Sequence, residues 1–553
     1  MTTNPTPMPT PAQAPPDRIP PPPGRAPRPG LTPIRALSSL TGGWFENPLL
    51  IKHLRSRLRR SQFLPAAAVV GAICILISWG GWTLGGFASG GTFGVLLGLQ
   101  AIILAIVGAS QVSAAVGGAR ESGILDFHRV SPLTPTAVTL GFFFGAPARE
   151  YLLFAMTLPF TLVCVANGAP GPAGALQTMV VLFLSAWLLQ GIGLVTALSS
   201  KKPKAGARGI IGLVVFFFIF GGQFGFLALS RASSYVGDSP TLSFFGIALP
   251  WLATVLIYGV PTLFFLLLSS VRKMRSERAH ALSKPQAVAL LATVAVLVLG
   301  KIWDIDDVRG FPYTLVVLYT LVAVGCVVTM TITPNLGEFT KGFRRAERRG
   351  RAHAGYWDDL APNRVALVAL CGIVLAAATV AWHFLEAPSG GHAPGMAFDP
   401  FYRMASYSVT IARTASYSVT IAIGVLVVAY FGLAAQFFQM TSARRGAAWF
   451  GLFLFVAWLV PLVVGTIAGA ASSGRDAALF IVSLSPVAGI ALSARMSDDT
   501  GTQLIQAAAL GPAVVFAFLF NNLVTVARRR AIKQIHAPAD LAKPEAARDP
   551  LAL

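Results

Sequence analysis

The sequence carries little charge for its length. Only 12% of its 553 residues are Asp, Glu, Lys or Arg, against about 25% in an average soluble domain. Hydrophobic residues make up 54% of the chain, and its mean hydropathy is +0.67. Because charged side chains are costly in hydrocarbon, a deficit of this size goes with long apolar runs that cross a bilayer. The composition excludes an ordinary soluble protein and predicts an all-α integral membrane fold, a polytopic bundle of helices.

Cysteine is scarce as well. The four cysteines are Cys74, Cys164, Cys326 and Cys371. Each falls inside an apolar run, where cysteine serves as a small packing residue. None lies in an outer loop where an oxidising compartment could pair it. The sequence therefore predicts neither a disulfide framework nor a cysteine metal site.

The common motifs of enzymes are missing. The chain has no HExxH, no GxSxG and no CxxC pattern. Its one Gly-Lys pair, Gly300-Lys301, is followed by Ile302 instead of the serine or threonine of a phosphate-binding loop. Ala295 stands where the first glycine of that loop would be. We therefore predict that the chain is not an enzyme, binds no cofactor and does not itself hydrolyse ATP.

What the chain does have is a series of apolar runs of about 20 residues, the length that a hydrocarbon core of ~30 Å requires. We predict twelve spans, near 63–87, 92–117, 148–168, 173–198, 209–230, 247–270, 286–303, 313–333, 364–385, 414–440, 447–469 and 504–527. A further apolar stretch, 478–495, has Pro486 at its centre between two serines. We expect it to be a re-entrant segment buried against protein instead of a thirteenth span.

The net charge of +21 comes from basic clusters between the apolar runs. Such clusters attract nucleic acid, but between spans they encode membrane topology. With twelve spans, 36 of the 43 lysines and arginines fall on one side; counting 478–495 as a span lowers this to 31. Because positive residues are retained in the cytoplasm, we predict a multi-pass protein of the cell membrane with both termini cytoplasmic. Its partner is then the lipid bilayer and not nucleic acid.

Composition also divides the chain into segments. The proline-rich beginning has too few apolar residues to fold, and the leucines that follow it repeat at helical spacing among arginines, as in a helix lying on the inner leaflet. The predicted segments are a disordered tail (1–43), an amphipathic interfacial helix (44–62), a first six-helix unit (63–270), a second six-helix unit (271–530) and a cytoplasmic tail (531–553).

One octapeptide, ASYSVTIA, occurs twice, at 405–412 and 415–422. Ten residues turn a helix by about 1000°, so the two copies do not share a face. We assign the repeat no function. Seven amides fall inside predicted spans, where inter-helix hydrogen bonds worth ~1 kcal/mol explain them. They are Gln100, Gln111, Gln190, Gln223, Gln436, Asn521 and Asn522.

Two acidic clusters could carry chemistry. Asp304, Asp306 and Asp307 follow the seventh span on the outer side. They are either a polar turn at a helix end, which we favour, or carboxylates that hold a divalent cation in a glycosyl- or lipid-group transferase. Asp358 and Asp359 lie in an inner loop, where they would cap the following helix or offset nearby arginines.

The most specific pattern lies between the second and third spans. R-E-S-G at 120–123 closes a span, a short amphipathic piece follows, and S-P-L-T-P at 131–135 breaks it. Such an element could be displaced by another protein or could lie on the lipid as an ordinary inner loop. The candidate contact residues are Arg120, Glu121, Ser122, Gly123, Asp126, Phe127, Arg129, Pro132 and Leu133.

In this segment, and in Asn47-Pro48 with the basic helix after it, the sequence resembles the permease subunits of ABC-2 type transporters. In that family an E-R/S-G pattern closes the second span, and a P-L-S/T-P turn follows a short helix. The likeness covers about 47–270. In the second half, 333–351 looks like an inner loop of the larger bacterial members, but no counterpart of R-E-S-G occurs there.

The resemblance implies a membrane-spanning permease of an ATP-driven exporter. It would couple through the inner loop 119–149 to a separate ABC ATPase that carries ATP and Mg²⁺, and a second permease copy is allowed. In that interpretation Glu121 fixes the helix end, and Phe127 and Leu133 insert into a groove of the ATPase. The alternative to an exporter is the transferase or a non-transporting membrane scaffold that docks another partner at 121–135.

Overall fold

The structure is a computed structural model of the chain. It describes residues 47–85, 90–167, 171–199, 241–303, 313–351, 355–386, 400–441, 445–471, 475–494 and 500–536. Several predictions lie outside these residues: the disordered tail 1–43, the fifth span 209–230 with Gln223, the acidic cluster of Asp304, Asp306 and Asp307, and the cytoplasmic tail beyond residue 536.

Helices make up almost all of the first half that is described. They are α1 (Pro48–Arg57), α2 (Arg60–Thr83), α3 (Gly91–Glu121), α4 (Ile124–Val130), α5 (Pro135–Gly145), α6 (Ala148–Ala166), α7 (Pro172–Ser199) and α8 (Trp251–Arg275). A π-helical turn, Ile102–Val107, lies within α3.

The second half continues in the same way. Its helices are α9 (Lys284–Ile302), α10 (Tyr313–Ile332), α11 (Leu336–Glu347), α12 (Arg364–Ala381), α13 (Pro400–Thr441), α14 (Gly446–Ala470), α15 (Arg475–Ser483), α16 (Pro486–Ser493) and α17 (Thr500–His536). Both copies of the octapeptide repeat lie in α13, which is one continuous helix of 42 residues.

Eleven of the described helices are long and apolar enough to cross a membrane. They correspond to eleven of the twelve predicted spans, and the twelfth, 209–230, is the one outside the described residues. This confirms the prediction of an all-α polytopic membrane fold. Many of the apolar side chains on these helices are exposed, as in Trp79 and Trp82 at 70 and 78%, which is what contact with lipid requires.

A β-hairpin replaces the predicted start of the sixth span. Strand β1 (Thr241–Phe244) pairs antiparallel with β2 (Ile247–Pro250), and α8 begins only at Trp251. Phe245 and Gly246 take φ values of +52° and +75°, as a two-residue turn that matches the strand twist requires. The apolar residues from 247 on therefore form a strand before the helix, a difference that hydropathy alone does not reveal.

The apolar stretch 478–495 is broken in two, as its central proline predicted. α15 and α16 have nine and eight residues, too few for a span. The break is buried in protein: Ser485 is fully buried, and its Oγ donates to the carbonyl O of Trp458 at 2.7 Å. On which side of the membrane this segment lies stays a prediction.

Two of the predicted bridging amides bond across helices. Gln100 Nε2 lies 2.8 Å from the Oγ1 atoms of both Thr157 and Thr161. Gln190 Nε2 donates at 3.0 Å to the carbonyl O of Leu104, which lies in the π-helical turn. Such turns free backbone groups from the regular helical ladder, so α3 and α7 are joined by a side-chain-to-backbone contact.

The buried cores follow the order of the chain. The largest apolar cluster is built from residues between 282 and 524, and two smaller ones from residues between 49 and 274. From Pro48 onward the chain is nevertheless one compact unit. The division into two six-helix units stays a prediction.

Segments predicted on the inner side of the membrane contact each other in the structure. Phe339 of α11 shares a small apolar cluster with Met440 at the end of α13 and Ala531 of α17. At the other end of the bundle, the amide of Phe245 in the hairpin donates to the carbonyl O of Gly300 at 2.9 Å. These contacts place segments that are predicted to be on the inner side next to one another, and the side of the membrane on which they lie stays a prediction.

Candidate docking element between the second and third spans

The element begins where α3 ends. α3 runs to Glu121, and Gly123 turns the chain with a φ of +71°. An L-residue in the left-handed conformation costs roughly 1–2 kcal/mol, so the turn favours glycine. The amide of Phe127 then donates to the carbonyl O of Gly123 at 3.2 Å, which starts α4. The R-E-S-G pattern is thus a helix end followed by a tight turn.

The S-P-L-T-P pattern starts the next helix. Thr134 Oγ1 accepts a hydrogen bond from the amide of Ala137 at 3.2 Å, and Pro135 occupies the first turn. Threonine before proline is a favourable helix start, because the hydroxyl satisfies a free amide and proline has none to leave unpaired. Leu133 packs against the apolar cluster around Phe142. Leu133 therefore stabilises the element, and its insertion into a partner stays a prediction.

An acidic residue from another loop holds the element to the end of α8. The Glu277 carboxylate forms an ion pair with Arg120, and its Oε2 lies 3.7 Å from Arg129 Nη1. Arg129 also donates through Nε and Nη2 to the carbonyl O atoms of Met274 and Lys273, each at 3.3 Å. These carbonyls belong to the last turn of α8, where a helix favours a cation. The start of the element is thus paired with Glu277, two residues after α8, and its end is bonded to the last turn of α8.

One side of α4 is apolar and exposed. Ile124, Phe127 and Val130, three residues apart, are 37, 67 and 84% exposed. Leu125, by contrast, is 2% exposed and packs into the bundle. Large apolar side chains clustered on a surface mark a site that another molecule covers. We call Ile124, Phe127 and Val130 the α4 ridge.

Of the other predicted contact residues, some make contacts within the element and others are exposed to solvent. Ser122 Oγ donates to the carbonyl O of Gly118 at 2.8 Å and completes the end of α3. Asp126 pairs with Arg129 at 2.6 Å, while Pro132 is exposed. Glu121 is exposed, and no described residue pairs with its carboxylate. The charge-assisted contact expected of Glu121 is instead made by Glu277, because Arg120 is the residue that packs toward α8.

A second polar cluster lies across the loop between α8 and α9. Lys284 is fully buried, and its Nζ donates to the carbonyl O atoms of Asp358 and Ala361, each at 2.6 Å. Arg272 of α8 forms an ion pair with Asp359. Asp359 therefore offsets an arginine, as expected, but this arginine lies in the last turn of α8 and not in the same loop. The loop 355–363 is fastened to α8 and α9 through these contacts.

His280 makes a further connection to the second half. Its Nε2 lies 3.5 Å from Glu338 Oε2 at the start of α11. Burial lowers the pKa of His280, and Glu338 and Asp359 act in the opposite direction. The loop between α8 and α9 thus contacts α4 through Glu277 and α11 through His280.

Sequence reasoning missed Glu277 and Lys284. A signal for Glu277 was present, since it is the one acid in R-K-M-R-S-E-R at 272–278 and a lone carboxylate among cations is expected to pair. Lys284 stands at the first position of a span, where it looks like ordinary flanking charge. Its burial comes from a loop 74 residues away, which no local pattern predicts.

Metal and thiol chemistry has few candidates in the described residues. There, no group of three or more His, Cys, Asp and Glu side chains could hold a metal ion. The four cysteines are free thiols, three of them buried and Cys371 half-buried. The outer aspartates at 304, 306 and 307 lie outside the described residues, so the transferase hypothesis stays untested.

These features define the class of the protein. It is a polytopic all-α membrane protein whose spans pack around buried apolar cores. No protein-family model, no curated protein and no solved structure matches the chain.

Proposed function

We propose that the chain is the membrane-spanning permease subunit of an ATP-driven exporter of the ABC-2 type, and that a separate ATPase docks on the α4 ridge. The ATPase supplies the ATP and Mg²⁺ sites. The permease lies in the cell membrane with both termini in the cytoplasm. The observation that carries this proposal is an exposed apolar ridge on a short helix, whose base is held by ion pairs to Glu277 and by hydrogen bonds to the last turn of a spanning helix.

The composition of the exposed side of α4 favours a protein partner over lipid. A helix that lies on an anionic leaflet carries lysine and arginine on its polar side. The exposed side of α4 instead has Asp126 beside Phe127 and Val130, and the one arginine of α4, Arg129, is turned to α8. A carboxylate next to apolar residues suits a groove with a basic rim, in which a helix inserts its apolar face.

The ion pairs provide a route for mechanical work. A push on α4 reaches the end of α8 through Arg120 and Arg129, because both contact Glu277 or the last turn of α8. From α8 it reaches the second half through Arg272 and Lys284, which hold the loop 355–363. Packed elements respond to such a push by moving between discrete arrangements. One docked ATPase can thereby tilt spans in both halves.

The experiment that tests the proposal is purification of the full chain from native membranes in mild detergent. We expect a protein with a P-loop to co-purify with it and to hydrolyse ATP. Truncating a hot-spot anchor at the centre of an interface costs about 2 kcal/mol or more, which is a change in affinity of about 30-fold. Replacing Glu121 and Phe127 together with alanine should therefore lower the hydrolysis of the complex by about tenfold or more.

The control is Leu84→Ala, which removes a side chain that is 86% exposed at the far end of α2. It should leave hydrolysis within about twofold of wild type. If the Glu121→Ala/Phe127→Ala variant retains both the complex and its hydrolysis, the α4 ridge is not the coupling site. If a partner without a P-loop co-purifies instead, the chain is a scaffold.

A further inference from the structure

A cleft separates α1 from the α4 element. It has a volume of about 200 Å³ and is lined by α1, the end of α3, α4 and α5. A water molecule takes about 30 Å³ in the liquid, so the cleft can hold a tetrahedral anion with some hydration. Its basic side chains are Lys52 and His53 of α1 and His128 of α4, and Ser122 at the end of α3 also lines it. The rings of His53 and His128 both contact the ring of Phe142.

The groups that act on the two histidines are cationic. Burial, Arg57, Lys52 and His128 together lower the pKa of His53 to about 4. Burial and Lys52 also lower the pKa of His128. The His53 imidazole is therefore neutral at pH 7, the pKa of His128 is shifted in the same direction, and no carboxylate contributes to either shift. A cluster of cationic and potentially cationic groups without a counter-ion is suited to binding an anion.

The carboxylates on the surrounding helices are engaged elsewhere. Asp126 of α4 pairs with Arg129, and the buried Glu150 of α6 pairs with Arg149 at 2.8 Å. Glu121, at the end of α3, is exposed. α5 has no ionisable side chain. Within the described residues, the cleft thus has no internal acid to neutralise it.

His128 is also short of hydrogen bonds. Both of its ring nitrogens are buried, and neither has a partner. More than about 90% of buried polar groups in proteins are hydrogen-bonded, so two unpartnered nitrogens on one ring are unusual. An anion in the cleft would accept a hydrogen bond from a ring N–H, and a protonated ring has two such donors.

We propose that the cleft formed by Lys52, His53 and His128 binds a phosphate group, such as the headgroup phosphate of an anionic lipid. α1 is suited to present the site to a membrane surface, because it carries the basic residues Lys52, Arg55 and Arg57 together with the exposed Leu54. A phosphate suits the site since its oxygens accept charge-assisted hydrogen bonds from lysine and imidazolium. The site does not depend on the docking of an ATPase.

Binding at this site should be linked to pH. An anion favours the protonated imidazoles, so it raises the pKa of His53 from about 4 and takes up protons when it binds. Its affinity therefore rises as the pH falls. The phosphate of phosphatidylglycerol is a diester that keeps its charge above pH 5. Any change of binding affinity between pH 6 and 8 therefore comes from titration of groups on the protein.

The test is calorimetric titration of the purified full chain in neutral detergent with short-chain phosphatidylglycerol. We expect binding about tenfold tighter at pH 6 than at pH 8. Lys52→Gln and the double variant His53→Gln/His128→Gln should each weaken binding at pH 6 about tenfold, and the double variant should lose the pH dependence. Arg55→Gln removes an equal charge from the same helix outside the cleft and should change affinity less than twofold.

Two further ligands distinguish a lipid headgroup phosphate from free phosphate as the natural ligand. Short-chain diacylglycerol, which lacks phosphate, should not bind at the cleft. Inorganic phosphate that binds as tightly as the lipid, and is weakened by the same variants, would assign the site to a soluble phosphate. The proposal is overturned if phosphatidylglycerol and diacylglycerol bind alike, or if Lys52→Gln, which alters an exposed side chain and should fold normally, binds like Arg55→Gln.

Discussion

Replacing Glu277 with glutamine is expected to lower the ATP hydrolysis of the assembled complex about tenfold while the ATPase still binds. Arg120 and Arg129 have side chains that are only 16 and 13% exposed, so both would lose their shared acid in a poorly solvated place. Because Glu277 itself is 54% exposed, the loss is smaller than for a buried pair. A cost of about 1.4 kcal/mol changes an equilibrium tenfold, enough to release the base of α4 from α8.

Two measurements distinguish this outcome from a general loss of stability. Glu277→Asp keeps the charge and should retain most of the hydrolysis. Hydrogen exchange of the backbone amides should accelerate in 121–135 of the Glu277→Gln variant, and not in the distant helix α14. If ATP hydrolysis is unchanged although amide exchange in 121–135 accelerates, the ion pairs of Glu277 with Arg120 and Arg129 have no part in coupling.

Replacing Lys284 with methionine is expected to lower the free energy of unfolding by about 3 kcal/mol or more. Methionine keeps the length of the side chain but not its donors. The carbonyl O atoms of Asp358 and Ala361 lose their charged donor in a buried place, and each unsatisfied group costs about 1–3 kcal/mol. The midpoint of thermal unfolding in detergent should fall by about 2–3 °C, a small shift because the unfolding entropy of so long a chain is large.

Lys301→Met is the matched control for this prediction. Lys301 lies at the other end of the same helix, α9, and is exposed. Its replacement should change the free energy of unfolding by less than about 0.5 kcal/mol. Equal midpoints for the two variants would show that Lys284 does not hold the loop 355–363 as the geometry indicates.

Much of the fold could be predicted from composition and local pattern. Apolar runs of span length identify helices because the bilayer leaves the backbone few other options, and Pro486 correctly marked a break. The hairpin at Thr241–Pro250 could not be predicted in this way. Its apolar residues are as hydrophobic as the start of a span, and the pairing depends on a two-residue turn at Phe245 and Gly246.

Only part of the candidate site could be predicted from the sequence. The turn at Gly123 and the helix start at Thr134 follow from residue types with fixed local preferences. The contacts that anchor the element do not, because Glu277 is 157 residues away from Arg120 in the chain. The same holds for the cleft. There His53 of α1 and His128 of α4 both contact Phe142 of α5, and these three helices are separate in the sequence. Local periodicity predicts where each helix lies in the sequence, but it does not predict which polar groups of different helices come into contact.

The most direct measurement places a photo-crosslinking residue at position 127 of the full chain in native membranes. Docking of an ATPase on the α4 ridge predicts a product that contains a P-loop protein, and none from the same residue placed at position 84. Products that contain only lipid, or the same products from both positions, would contradict the central claim that a separate ATPase acts on this element.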